Sequence, residues 1–468
     1  MTIDHATELV QFRRTVYQNF TNRADTVMEL IDALCSSVGA QSPVELTLAS
    51  AFRRTYSTMY KAIDEFRWEE EQLARLVAPY LPRLRQRNFR LLGVDVTPQP
   101  RPYARTLTDR GMVYQPTEVK GNKPVTIGHQ YSTVALLPEA EAGLSGSWVV
   151  PLMTQRVATT ADKELVGAGQ IDALLTDDKL PFGHSLCVEV ADSSYSKPEY
   201  LAANRQHANL VTITRARNNR TLYRQPTAEA ATNGRGHPTW YGEAFRLHDS
   251  TTWSSSDESC TLHEVSRRGK KYRVEIQAWH NMLMRGKRQP KPLPMHSHPF
   301  TLVCIIRYDE EGQQVSEHPL WLIVIGERRH ELCLSDIHQA YGQRYDLEHF
   351  FRFGKQKLLL TSFQTPETDR EAQWWQLVHI AYAQLWVARH LANLLPRPWE
   401  RNLPAMRNRR ISPTQVQRDF ARIIRQLGTP AQPPKPRGIS SGRRQGTKLD
   451  PRSRHAVVVK SQLKASLL

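Results

Sequence analysis

Apolar residues recur along this chain with two different periods, and the change near residue 89 divides it. Up to about residue 88 the spacing is helical. Val27, Leu30, Ile31 and Leu34 form one stripe at three- and four-residue steps, and Leu48, Phe52, Tyr56, Tyr60 and Ile63 form a second. Ser42-Pro43-Val44-Glu45 precedes the second stripe as a capping box with proline at the first helical position, which predicts a helix opening there. From Phe89 short apolar runs take over. FRLLGVDVT, PVTIGHQYSTVALL, SWVVPLM, LCVEVADSSY and NLVTITRA read as strands. ADKELVGAGQIDALLTD and a segment from about Pro198 read as helices between them. Strands and helices in this order predict a mixed α/β sheet.

From Arg215 to Glu327 helix signals are scarce, and Gly234, Gly236, Pro238 and Gly242 punctuate the stretch. KYRVEIQAW, TLVCIIRY and LWLIVIG read as strands, the last two flanking a turn at Asp309–Gly312, so a β-rich insertion is expected. Helices return after Ser335. One is expected from about Asp336 to Leu358, and another from the capping box Thr368-x-x-Glu371 through WWQLVHIAYAQLWVARHLANL. The tail from Arg401 carries sixteen Lys or Arg against two Asp. It is expected to hold one short amphipathic helix around Thr414–Leu427 within Pro-, Gly-, Ser- and Arg-rich sequence that cannot bury a core.

Composition narrows the partners. The 468 residues allow two or three domains, and 63 Lys plus Arg against 46 Asp plus Glu give a formal charge of +17. Such an excess attracts polyanions, of which nucleic acid is the commonest. Five cysteines form no CxxC pair, so neither a disulfide framework nor a zinc site is expected. The N-terminal sequence has no apolar core of a signal peptide, and no run of about 18 apolar residues occurs, so no membrane association is expected.

The chemistry-bearing residues fall at strand ends and on one helix. Asp95 ends the run FRLLGVD and Asp192 ends LCVEVAD. Buried strand ends suit carboxylates that converge on a metal, but a strand-ending Asp also serves as a turn former or helix cap. On the helix expected after Ser335, Tyr341, Arg344, Glu348 and Lys355 have the spacing Y-x2-R-x3-E-x6-K. At about 100° per residue the last three fall near 300°, 340° and 320° from Tyr341, one narrow face. A stripe of one carboxylate, two cations and a phenol is no hydrophobic core face; it reads as a functional surface or as a solvated face with incidental charge pairs. The RARNNR segment, with Arg215 and Arg217, follows a strand and reads as a phosphate contact or a solvated edge.

That spacing resembles the YREK signature of bacterial insertion-sequence DDE transposases. VADSSYSKPEYL resembles the segment around the second aspartate of that group. GNKPVTIGHQYSTVALLP resembles the strand after the first aspartate, and PLWLIVIGE lies about twenty residues before the signature Tyr, where these enzymes often carry Trp and then a strand. The resemblance covers about residues 89–390. It implies an α/β, RNase H-like mixed sheet flanked by helices and interrupted by a β-rich insertion. The expected division is a helical N-terminal domain (1–88), the core's first part (89–214), the insertion (215–330), the core's helical second part (331–400) and a basic, partly disordered C-terminal tail (401–468).

The resemblance further implies that Asp95, Asp192 and Glu348 are catalytic and bind two Mg²⁺ ions, with Mn²⁺ able to substitute. Tyr341, Arg344 and Lys355 would contact phosphates of double-stranded DNA at a transposon end, and Trp321 would stack on a flipped base. The activity implied is metal-dependent cleavage and strand transfer by a homodimer in a synaptic complex, in the bacterial cytoplasm at the nucleoid. The group often shows two adjacent carboxylates and then Thr at the first position, where this chain has Val94-Asp95-Val96-Thr97; Asp109, in a polar segment, is the rival first ligand. The alternative is a domesticated, catalytically inactive DNA-binding protein of the same descent.

Overall fold

The computed structural model describes residues 4–115, 124–141, 144, 147–227, 240–266, 268–286, 293–394, 399, 411–436, 445–446, 448 and 451–460. Gly234, Gly236, Pro238 and much of the basic tail lie outside them. The helices are α1 (His5–Gln18), α2 (Ala24–Ser36), α3 (Tyr56–Glu65), α4 (Gln72–Val77), α5 (Lys163–Thr176), α6 (Pro198–Asn204), α7 (Leu334–Gln343), α8 (Tyr345–Lys357), α9 (Thr368–Ala388), α10 (Leu391–Leu394) and α11 (Pro413–Leu427). The strands begin with β1 (Arg90–Pro100), β2 (Gly111–Tyr114), β3 (Val125–Leu136), β4 (Val150–Val157), β5 (Cys187–Ala191) and β6 (Leu210–Ala216). They continue with β7 (Thr221–Tyr223), β8 (Ala244–Arg246), β9 (Glu258–Val265), β10 (Lys271–Met282), β11 (Phe300–Tyr308) and β12 (Leu320–Ile325). The chain divides into two units, one of residues 1–83, 96–162 and 346–468 and one of residues 84–95 and 163–345.

In the first unit β3 lies beside β1 and pairs antiparallel with β2 and β4. α9 forms the core of this unit: Trp374, Trp375, Tyr382 and Trp386 are fully buried on it, each large ring contributing on the order of 2–3 kcal/mol. α2 packs against it, as the hydrogen bonds Gln384 Nε2 to Asp32 Oδ1 (3.0 Å) and Cys35 Sγ to the Ala381 carbonyl (3.2 Å) record. α11 starts at Ser412, whose capping box includes the Gln415 side chain, and Gln417 donates to the Leu34 carbonyl at 3.1 Å.

Two expectations about this unit are corrected. The stripe from Leu48 to Ile63 is no single helix: Pro43–Leu48 is a 3₁₀ turn, the helix begins only at Tyr56, and Leu48 is 83% exposed. The cause is Glu29, buried on α2, which accepts from the Arg53 amide (3.0 Å) and the Arg53 guanidinium and forms an ion pair with Arg54. Satisfying that carboxylate holds residues 49–55 out of a helix. Thr368-x-x-Glu371 is likewise no capping box. Glu367 is the N-cap of α9, without a side-chain cap bond, and Glu371 turns inward to Arg101, His129 and Tyr131.

In the second unit β1 and β5 pair in parallel, as do β5 and β6, and β6 pairs antiparallel with β12. β12, β11, β10 and β9 continue antiparallel in that order, so the strands of the expected insertion extend the same sheet. The Asp309–Gly312 turn between β11 and β12 is present, with Gly312 at φ +78°. The antiparallel β3–β4 pair and the parallel β1–β5–β6 run, with α5 and α6 between strands, are consistent with an RNase H-like DDE fold. The single helix expected over Asp336–Leu358 is two: α7 ends at Arg344, whose φ −48° and ψ −31° remain right-handed, and α8 starts at Tyr345. No helix among the described residues is long and apolar enough to cross a membrane.

Candidate active site

Asp95 and Asp192 belong to neighbouring parallel strands of the second unit, Asp192 directly after β5 but Asp95 midway along β1 rather than at the strand end expected, because β1 runs on to Pro100. Gly93 lies opposite Val190, and each aspartate is two residues further along the chain. The apolar runs that feed them explain the placement: Leu91, Leu92 and Val94 on β1 and Val188, Val190 and Ala191 on β5 are buried, while both aspartates are partly open. Asp192 also caps the 3₁₀ turn Ser193–Tyr195, accepting from the Ser194 amide at 2.7 Å. A carboxylate pinned by one oxygen keeps its second oxygen oriented.

Cations and phenols gather around this pair. Arg344 Nη1 lies 3.6 Å from Asp95 Oδ2, with both side chains mostly covered. Burial pushes the Tyr341 phenol up; Arg344 and Arg215 pull it down and Asp192 pushes it up again, so these four groups share one electrostatic neighbourhood. Arg215 and Arg217 are exposed at the end of β6. Tyr341 and Arg344 also line a cavity of about 320 Å³ with Arg307, His318, His338 and Tyr345. Arg87 donates to Gln343 Oε1 at 2.7 Å and ties the chain before β1 to the end of α7.

Beneath the aspartates lies a buried polar layer that the sequence analysis did not single out. Tyr195 is fully buried, and its phenol is raised well above its ordinary range by burial and by the charges of Asp95, Asp192, Glu164 and Glu189. Glu189, on β5, accepts from the Tyr200 hydroxyl at 2.9 Å and from Asn204 Nδ2 at 3.3 Å; burial pushes its carboxyl up to about 7. Alternation on β5 is the signal that could have found it: Glu189 sits in an otherwise apolar five-residue strand.

The remaining expected residues are each described within their own unit. Glu348 and Lys355 are half-buried on α8, and Lys355 Nζ donates to the buried Thr97 hydroxyl at 2.6 Å. Trp321 is 1% exposed on β12 and packs with Trp279, Trp253 and Phe245 at ring separations of 5.7, 5.0 and 6.0 Å. A ring enclosed in this way packs the sheet and offers no open face to a base. Asp109 has φ +53° and holds a turn, accepting from the Thr159 amide and pairing with Arg156, which leaves Asp95 the better-placed first carboxylate.

Two oxygen-donor carboxylates suit Mg²⁺, which is commonly held by one or two carboxylates, substrate phosphate and water rather than an all-protein cage. Among the described residues no group of three His, Cys, Asp or Glu side chains is placed to hold a metal by itself. The buried, unpaired Tyr195 hydroxyl beside the aspartates adds a polar atom that a hydrated cation would satisfy, so the residues fit such an ion.

The sequence pattern of the DDE superfamily endonucleases matches residues 15–286, more than half of the chain. The chain belongs to this family. Membership supports nuclease or transposase-type activity on DNA and the use of divalent metal, and the matched span holds both Asp95 and Asp192. No curated protein matches the chain.

Proposed function

We propose that this DDE-family chain is a DNA transposase that cuts at the ends of a mobile element and joins those ends to target DNA. The observation that carries the reading is the placement of Asp95, midway along β1, and Asp192, directly after the adjacent parallel strand β5, with Arg344 and Tyr341 beside them. Asp95, Asp192 and Glu348 would hold two Mg²⁺ ions, or Mn²⁺. Such ions, when bound, polarise the phosphate and acidify a water, assisting both attack and departure in an in-line displacement.

The chain's own groups position the DNA. Arg344 offers a planar fork that pairs with Asp95 in the free protein and suits bidentate contact with a phosphate. Arg215, Arg217 and Lys355 would add positive charge for phosphates, and Tyr341 a phenolic donor. In the first step water forms a new P–O bond and the 3′-oxygen leaves with its electron pair and takes up a proton. In the second, that 3′-hydroxyl attacks a target phosphodiester and displaces the target's own 3′-oxygen. A synaptic homodimer at the nucleoid would bring two ends together, and the basic tail would add sequence-independent phosphate contacts.

The test is cleavage of a labelled duplex carrying the gene's flanking end, with Mg²⁺, by wild type, Asp95→Ala and Glu348→Ala. Metal-dependent nicking lost in both variants, with duplex binding kept, supports the reading. Survival in Asp95→Ala alone moves the first ligand to another carboxylate. Tight end binding without cleavage by wild type in Mg²⁺ or Mn²⁺ replaces the reading with a domesticated DNA-binding protein.

A further inference from the structure

The hydroxyl of Tyr195 is buried and has no hydrogen-bond partner among the described residues. Unpaired buried hydroxyls are rare in folded proteins because the lost hydration is not recovered, and one that persists points to an absent water, ion or reacting group. Two further hydroxyls at this end of the sheet share the condition: Ser194 Oγ in the turn that Asp192 caps, and Thr214 Oγ1 on β6 opposite Ala191.

The position of Tyr195 is tightly fixed. Its amide donates to the Asp192 carbonyl at 3.3 Å, which closes the turn directly after the aspartate. Its ring meets Tyr200 edge-on at 5.0 Å, and Tyr200 is held by Glu189, which Asn204 holds in turn. Asn204 also donates to Thr212 on β6 at 3.1 Å. Ring and backbone are thus locked by β5, α6 and β6 while the polar atom is left open. The turn that Asp192 caps ends at Tyr195, and the charges of Asp95 and Asp192, with those of Glu164 and Glu189, act on its phenol.

We propose that Tyr195 is a positioning residue for the aspartate pair, its hydroxyl donating to an oxygen that Asp95 and Asp192 hold when a hydrated divalent cation is present. This rests on the transposase reading above. Groups that orient metal ligands from behind typically alter metal affinity or activity by roughly 10- to 100-fold when removed.

Tyr195→Phe removes one oxygen and keeps the ring that packs on Tyr200. In the full-length chain three quantities are compared with wild type: melting temperature with and without Mn²⁺, duplex binding, and cleavage rate across a Mg²⁺ titration. The expected result is an unchanged or slightly raised melting temperature without metal and unchanged duplex binding. The Mn²⁺-induced rise should be smaller, and half-saturation by Mg²⁺ should need roughly tenfold more ion. A variant whose metal-induced stabilisation and Mg²⁺ dependence coincide with those of an active wild type overturns the proposal and leaves the transposase reading intact. A wild type that neither gains stability from Mn²⁺ nor cuts DNA overturns both.

Discussion

Arg344 sets a guanidinium nitrogen 3.6 Å from the Asp95 carboxylate, so the last residue before α8 neutralises the carboxylate that β1 delivers. The pair is mostly covered but its charges stand 3.6 Å apart with water still reaching both, and its direct contribution to stability is small, about 1 kcal/mol or less. Its effect belongs to DNA handling. Arg344→Ala should melt within a few degrees of wild type yet lose on the order of 10²-fold in end cleavage, and Arg344→Lys should restore part of it, because charge returns without the fork. Thermal melts beside single-turnover cleavage check this. A cleavage rate unchanged in Arg344→Ala would reduce the contact to a surface ion pair.

Trp321 makes the opposite prediction. Enclosed by Trp279, Trp253 and Phe245, it should behave as a core residue: Trp321→Ala should cost about 3–5 kcal/mol in urea unfolding, and Trp321→Phe markedly less. Duplex binding by Trp321→Phe, measured below its melting temperature, should match wild type. A selective loss of binding to duplexes with an unpaired end base would return the ring to the DNA.

These two residues show what the sequence made legible. The aspartates could be found because apolar runs of five or six residues stop at them, although β1 itself continues past Asp95 to Pro100, and the burial of Leu92, Val94, Val188 and Val190 follows directly from that pattern. The role of Trp321 could not, because an aromatic residue opening an apolar strand looks the same whether its ring meets other rings or open solvent. The break at Arg344 was hidden for a related reason: its dihedrals stay helical, so Gly342 just before it reads as a glycine inside a continuous helix. The 49–55 segment and Glu371 misled because each is governed by a distant partner, the buried Glu29 in one case and Arg101 with His129 in the other. Local capping and periodicity carry no information about a buried charge that must be paired across the fold.

Glu371 therefore supports a stability prediction. Burial alone would raise its carboxyl, but the hydrogen bond from His129, the charges of His129 and Arg101 and the Arg101 hydrogen bond outweigh it and hold the group below its ordinary range. A depressed carboxyl stabilises the fold above its unfolded-state value, and that stabilisation is lost as pH falls through the folded-state value. Glu371→Ala should leave Arg101 buried without its carboxylate and cost about 3–5 kcal/mol at pH 7, read by urea unfolding, with the wild-type advantage shrinking in acid. A loss under about 1 kcal/mol would show that water replaces the carboxylate and that the site is wetter than its enclosure indicates.

Glu189 has the reverse sign. Burial pushes its carboxyl up to about 7 despite hydrogen bonds from Tyr200, Thr212 and Asn204 that favour the charged form. The unfolded chain releases this proton near the ordinary Glu value of 4.5, whereas the fold retains it to about 7. The contribution to stability is therefore fully present below the unfolded value and is lost as pH rises through about 7. Glu189→Gln keeps the shape and an acceptor for the Tyr200 hydroxyl but cannot ionise. It should melt close to wild type at pH 5 and above it at pH 8, by an amount on the order of 2–3 kcal/mol at most. Melting curves at the two pH values decide it: a Gln variant less stable at pH 8 than wild type would mean that the ionised carboxylate is the form the fold prefers, with Tyr200 and Asn204 as its required donors.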